Sequence, residues 1–191
     1  MAALPIRMIG DPVLREFCRE LSLEELLSVE VQDFIDDLID TMHDANGAGI
    51  AAPQVGRPLS IAVVHVKDNP RYPYKPNVPL TVFVNPKITF LGDETESLYE
   101  GCLSVPNLRG RVSRRMHIRV DAWDRHGEAL SFEIKGLTAG TYQHEFDHLQ
   151  GMLFVDRVTD PSTFSTWNNF EAHHRDVFVS EAEAVVQKYG S

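Results

Sequence analysis

Within the segment YQHEFDHLQG, Tyr142 to Gly151, two histidines stand four residues apart, with a glutamate directly after the first. On a helix, residues four apart share one face, so the imidazoles of His144 and His148 can converge on one point. A pair at that spacing suits a single metal ion. Glu145 then points roughly 100° away around the axis, too far to share the ion easily but near enough to reach a water bound to it. In that reading the ion makes hydroxide available near neutral pH, and Glu145 takes up a proton and returns it to a leaving group. The bland alternative is two ordinary helix histidines, one of them buried and hydrogen-bonded, and the motif alone does not exclude it.

A catalytic site of this kind needs three protein ligands and one open position. A third histidine six residues after the second would fit one known pattern, and Gly151 agrees with it, but the ligand position itself is Phe154. Two candidates remain. Glu171, in NNFEAHHRD, lies on the segment that follows. Cys102, in YEGCLSVPNLRG, is flanked by Gly101 and soon followed by Pro106, as if on an exposed bend leaving a strand. Spacing leaves both open. A free cysteine is most commonly a small buried hydrophobe, and Cys18, in REFCREL, is read that way.

The elements that must position these residues follow from patterning. Ser22 and Glu25 form a capping box, and Leu23, Leu26, Leu27, Val31, Phe34, Ile35, Leu38, Ile39 and Met42 recur at helical spacing, which predicts one amphipathic helix ending near Gly47. The runs LSIAVVHV, LTVFVNPKITF, HIRVDAW and ALSFEIKG read as antiparallel strands, with DRHG at Asp124 to Gly127 as a turn. The segment VKDNPRYPYKPNVP is too rich in proline for a central ladder and is expected to be a surface loop or lid. From Leu137 the pattern is helical again and stops at Gly151. Asp160 and Pro161 fit the cap and first position of a last helix carrying Phe164, Trp167 and Phe170. This order indicates an α+β fold.

The chain has 191 residues and no internal repeat or linker-like stretch, so one domain, 1–191, is expected. Its 28 acidic residues outnumber 18 Lys and Arg, a net charge of −10 that works against phosphate backbones and anionic lipid. No nucleic acid and no membrane partner is expected. The opening MAALPIRMIGDPVLRE is interrupted by Pro5, Arg7 and Pro12 before a signal-peptide core could form, and no apolar run approaches spanning length, which predicts a cytoplasmic protein. Two cysteines are too few for a disulfide framework.

Three segments together, GAGIAAPQVG (Gly47 to Gly56), EGCLSVP (Glu100 to Pro106) and QHEFDHLQG (Gln143 to Gly151), resemble the three signature motifs of the peptide deformylases in order and separation. The resemblance implies antiparallel sheets packed around a central metal-binding helix, with an N-terminal and a C-terminal helix, in a single catalytic domain. It implies that Cys102, His144 and His148 hold one divalent ion, ferrous iron in the cell with zinc, nickel or cobalt able to replace it. Glu145 would be the general acid/base, hydroxide on the ion the nucleophile, and an N-formylmethionyl peptide or nascent chain the substrate, with formate released. Gln54 and the backbone N–H of Leu103 would stabilise the developing oxyanion, as charge on that oxygen requires preorganised donors. Substrate main chain would add as a strand beside Ala48, Gly49 and Gly101, with Leu98, Leu137 and Thr141 around the methionine side chain. Ala48, Gly140 and Thr141 stand where bulkier residues are common in the family, so a roomier pocket is expected. Some members are thought to dock at the ribosome through a basic C-terminal extension. Residues 164–191 here carry Arg175 and Lys188 against Glu171, Asp176, Glu181 and Glu183, so 2 minus 4 gives −2, and a transient ribosome association would need another surface.

Overall fold

The computed structural model describes residues 3–67 and 75–191. The elements run α1 (Leu23–Leu26), α2 (Val29–Asp44), β1 (Gly49–Ala51), β2 (Ile61–Val66), β3 (Val78–Phe90), β4 (Thr95–Cys102), β5 (Val105–Arg115), β6 (His117–Trp123), β7 (Ala129–Lys135), α3 (Gly136–His148), α4 (Phe154–Arg157), α5 (Trp167–His173) and α6 (Arg175–Tyr189). Among the described residues no helix is long and apolar enough to cross a membrane. Strands β1-β2-β3-β6-β7 form one antiparallel sheet in that order, and β4 and β5 pair as a second, two-stranded sheet. The α+β class expected from element order is what is found.

The large sheet is sandwiched between two helices, and the period of two along each strand decides which side chain meets which helix. In β2, Ile61 and Val63 join the cluster that holds Ile35, Leu38 and Met42 of α2. Their neighbours Ala62 and Val64 join the cluster of α3, with Ala139, Tyr142 and Phe146. The register Ile61 to Val84, Ala62 to Phe83 and Val63 to Val82 keeps each face consistent across β3. Phe83 is fully buried. Its ring lies 5.0 Å from that of Tyr142 and 5.3 Å from that of Phe146, so it packs the sheet directly onto α3.

Three sequence expectations are corrected. The single helix from Leu23 is two: the capping box of Ser22 and Glu25 is present, but Ser28 Oγ donates to Glu25 O at 2.7 Å and accepts from Val31 N, capping a fresh start at Val29. Asp160 caps only a short 3-10 turn, Pro161–Thr163, and the last helix is the pair α5 and α6. Strands β1 and β5 carry no clean alternation and were not anticipated, and of β4 only its end at Cys102 was expected. Of the proline-rich 67–79 segment, expected to be a loop or lid, residues 68–74 lie outside the described residues, and Val78 already opens β3. Pro86 is accommodated in that strand by a register shift at the left-handed Asn85, whose amide clamps Leu21 through Oδ1 and Nδ2 at 3.0 and 2.8 Å.

Because Phe83 fastens α3 to the sheet, Phe83→Ala is expected to lower the unfolding free energy by about 3–5 kcal/mol. Urea denaturation with the slope unchanged measures this, and a midpoint equal to wild type would show that the contact carries no such weight.

Candidate metal centre

Helix α3 is buried along nearly its whole length, although it carries two histidines, a glutamate, a glutamine and an aspartate. A buried polar group without a partner costs about 1–3 kcal/mol, so the surroundings of α3 must supply partners. Gln143 grips the end of β5, accepting from Arg115 N at 3.2 Å and donating to Arg115 O at 2.7 Å. Asp147 accepts from Arg114 at 2.6 Å and Arg157 at 2.7 Å.

On the remaining face, one donor atom each from Cys102, His144 and His148 lie within 4.8 Å of one another. The Cys102 sulfur is 3.3 Å from His148 Nε2. Cys102 ends β4 at a bend that β5 leaves again at Val105, as expected, but it is half-buried rather than exposed. His144 directs Nδ1 at Glu100 Oε2, 2.8 Å away, which fixes the ring and leaves Nε2 for the centre. That carboxylate–histidine pairing is the usual support of a ligating imidazole. Burial pushes His148 well below the usual imidazole range, which favours the neutral form that ligates. A sulfur and two ring nitrogens so gathered fit a tetrahedral-type divalent ion with one position left for water or substrate.

Glu100 is held in turn by Arg114, at 2.7 and 2.9 Å in a two-pronged pair. Burial alone would raise the Glu100 carboxyl, but the Arg114 guanidinium holds it well below the ordinary carboxylate range. Glu145 stands beside the centre and is pushed up to about 7 by burial. Its Oε2 meets no hydrogen-bond donor among the described residues. The β1 backbone approaches this carboxyl so closely that a Cβ on Gly49 would lie 2.5 Å from Oε1. Gln54 follows β1 on a 3-10 turn and is 1% exposed. Its Oε1 accepts from Ala51 N at 2.8 Å, which turns Nε2 toward Ser104 Oγ at 3.0 Å and the Cys102 sulfur at 3.4 Å.

Cys102, His144, Glu145, Glu100 and Gln54 line one cavity of about 860 Å³, counted with its open mouth, together with Ala48, Gly101, Leu103, Leu137 and Thr141. Leu98 is placed elsewhere: it packs behind Met116 and Leu137 against α6. Glu171 is exposed and pairs with Arg175 at 3.3 Å, so it does not join the three convergent ligands. Cys18 is buried and its thiol is pushed up to about 12, by burial first and by Glu16 second. Sequence reasoning missed the roles of Glu100, Arg114 and Asp147. Glu100 and Asp147 lie inside quoted motifs, whereas nothing local marks Arg114, whose partners come from β4 and α3.

A sequence profile of the family described as polypeptide deformylase matches residues 3–164. The chain belongs to that family. Peptide deformylase 2 of Nostoc sp. is 43% identical over 155 residues, covering 81% of this chain and 86% of the relative. The chloroplastic peptide deformylase 1A of Solanum lycopersicum is 38% identical and matches 85% of this chain and 61% of its own. Among solved structures, a class I type b enzyme from Acinetobacter baumannii bound to Met-Ala-Ser superposes with a TM-score of 0.79 at 38% identity, over 82% of this chain and 99% of that one. A Synechococcus elongatus enzyme in complex with actinonin gives 0.73 at 31% identity, over 98% of this chain and 86% of that one. The enzyme is therefore a metal-dependent hydrolase of N-formylmethionyl peptides.

Glu100 orients His144 without lying among the ligands, so Glu100→Gln is expected to weaken metal retention by roughly 10–100-fold. Competition against a graded chelator measures it, and unaltered retention would show that His144 needs no such support.

Proposed function

We propose that Cys102, His144 and His148 hold the catalytic ion and that Glu145 moves the protons of deformylation. The observation that carries this reading is the convergence of the three ligand atoms beside a buried carboxyl with an oxygen to spare. When bound, the ion supplies a hydroxide nucleophile near neutral pH and polarises the formyl oxygen. Glu145 is fitted to accept that proton and deliver it to the amide nitrogen as the C–N bond breaks, since a carboxyl lifted by burial to about 7 can serve as either base or acid. Gln54 Nε2 donates toward the oxygen of the tetrahedral species, and the Leu103 backbone N–H, in the bend after Cys102, is its second donor.

Among the described residues, strand β1 lies at one end of the large sheet and pairs with β2 alone, and β4 pairs with β5 alone. Each therefore has an edge open for an added strand, which supports binding of substrate backbone between Ala48 or Gly49 and Gly101. Leu137 and Thr141 then stand around the first side chain, and Leu98 supports Leu137 from behind. The fold supports one catalytic unit spanning 1–191. Ferrous iron is the proposed cellular metal, with zinc, nickel or cobalt as substitutes, and the cytoplasm the proposed site of action. Any transient contact with the ribosome would avoid the acidic C-terminal segment.

The decisive assay follows formate release from formyl-Met-Ala-Ser and its unformylated counterpart, with metal measured in the same sample. Formate from the first alone is expected, and Glu145→Gln should retain metal while turnover falls by about 10²–10⁴-fold. Unchanged turnover would remove Glu145 from the mechanism. Because a redox-active ion beside a thiolate exposes the sulfur to oxidation, anaerobic preparations should be more active than aerobic ones. Equal activity with zinc in both would rule against iron.

A further inference from the structure

Lys75, which precedes β3, reaches the cavity of the metal centre, where its Nζ donates to Thr141 Oγ1 at 3.1 Å. The Thr141 hydroxyl spends its own proton on Leu137 O at 3.2 Å, so it meets the ammonium as an acceptor. One residue back, Gly140 sits inside α3 with no positive φ. Among the described residues a Cβ there would touch only Arg114, at 3.7 and 3.9 Å, which is ordinary contact. Packing thus does not require the glycine, which costs about 1 kcal/mol against alanine in a helix interior. Its effect is to keep the cavity wall open beside the lysine.

A side-chain cavity for methionine is expected to be apolar, and an ammonium placed in one is costly unless acceptors surround it. Burial lowers the Lys75 pKa, while the Glu100 and Glu145 carboxylates favour its charged form. The cavity therefore presents the Lys75 Nζ as an N–H donor to whatever side chain enters. An alkyl chain offers nothing to it, a thioether sulfur is a weak acceptor, and a sulfoxide oxygen is a strong one.

Resting on the reading that this cavity holds the first substrate side chain, we propose that Lys75 is a specificity-determining residue that donates a hydrogen bond to that side chain. The enzyme accordingly deformylates peptides beginning with N-formylmethionine sulfoxide as well as N-formylmethionine. Water adds across the formyl amide in both cases, formate and the free amine leave, and the sulfoxide is unchanged.

The test compares kcat/KM for formyl-Met(O)-Ala-Ser and formyl-Nle-Ala-Ser, with formyl-Met-Ala-Ser as reference, using the full metal-loaded chain. In wild type the sulfoxide should be cleaved at least as well as norleucine. Lys75→Met should lower the sulfoxide-to-norleucine ratio by roughly tenfold or more, the scale of a lost charged hydrogen bond, and Lys75→Arg should restore most of it. A ratio unchanged by Lys75→Met, or a wild-type sulfoxide rate tenfold below norleucine, overturns the proposal while leaving the deformylase reading intact if the reference is cleaved. Should Lys75→Met not fold, Lys75→Leu serves the same comparison, since neither side chain can donate. Failure of wild type on all three formyl peptides would bring down both readings.

Discussion

The molecule is organised around the two-pronged ion pair between Glu100 and Arg114. It joins the small sheet to the metal helix: Glu100 from β4 orients His144, while Arg114 from β5 also bonds Asp147, three residues beyond His144 on α3. Each member has a second partner, so no charge in the group is left buried alone. That completeness matters energetically, because removing one member of a buried pair typically costs about 3–5 kcal/mol. The same bonds also fix the angle at which the His144 ring faces the Cys102 sulfur. Stability and ligand geometry are therefore one property here, and a small change in the network would move a ligand as well as loosen the fold.

The sheets explain why the ligands can come from distant parts of the chain. Alternation in β2 and β3 pins α2 to one face and α3 to the other. The helix then has only one remaining side on which to present His144 and His148, the side met by the end of β4. β1 and the turn carrying Gln54 close the centre from the edge of the large sheet. Most of the polar atoms that define the site thus belong to elements whose positions are set by apolar burial elsewhere, which is how a preorganised arrangement is kept rigid.

Much of this was legible because it is written in local periodicity or in compact motifs. The ligand helix, strands β6 and β7 and the stop at Gly151 announce themselves through spacing and turn residues. The break at Ser28 was hidden because the apolar pattern runs on through Leu27 while the serine supplies a second cap. Strand β5 and the length of β4 were hidden for another reason. TESLYEGC sets Leu98 on the same face as Glu96 and Glu100, and VPNLRGRVSRR carries arginines on both faces, because both faces of this small sheet are covered by other elements and ion pairs are buried among them. Arg114 illustrates the limit: its type is common on surfaces, and only tertiary pairing makes it a buried residue. Lys75 is the same case in a proline-rich segment whose composition suggests nothing but a loop.

Glu145 shows what the rest of the framework permits. A carboxyl that moves protons has to keep an oxygen available, yet burial penalises an unsatisfied polar atom. The structure accommodates this by bringing the β1 backbone close at Gly49, where the absence of a side chain leaves room for the carboxyl itself. Held between that glycine and the sheet-anchored helix, Glu145 has little freedom to turn away and satisfy itself elsewhere. The glycine in GAGIAAPQVG is thus tied to the glutamate in QHEFDHLQG by contact, although nearly a hundred residues separate them. Two motifs that look independent in the sequence form a single physical unit, which is why their joint occurrence says more about the chemistry than either alone.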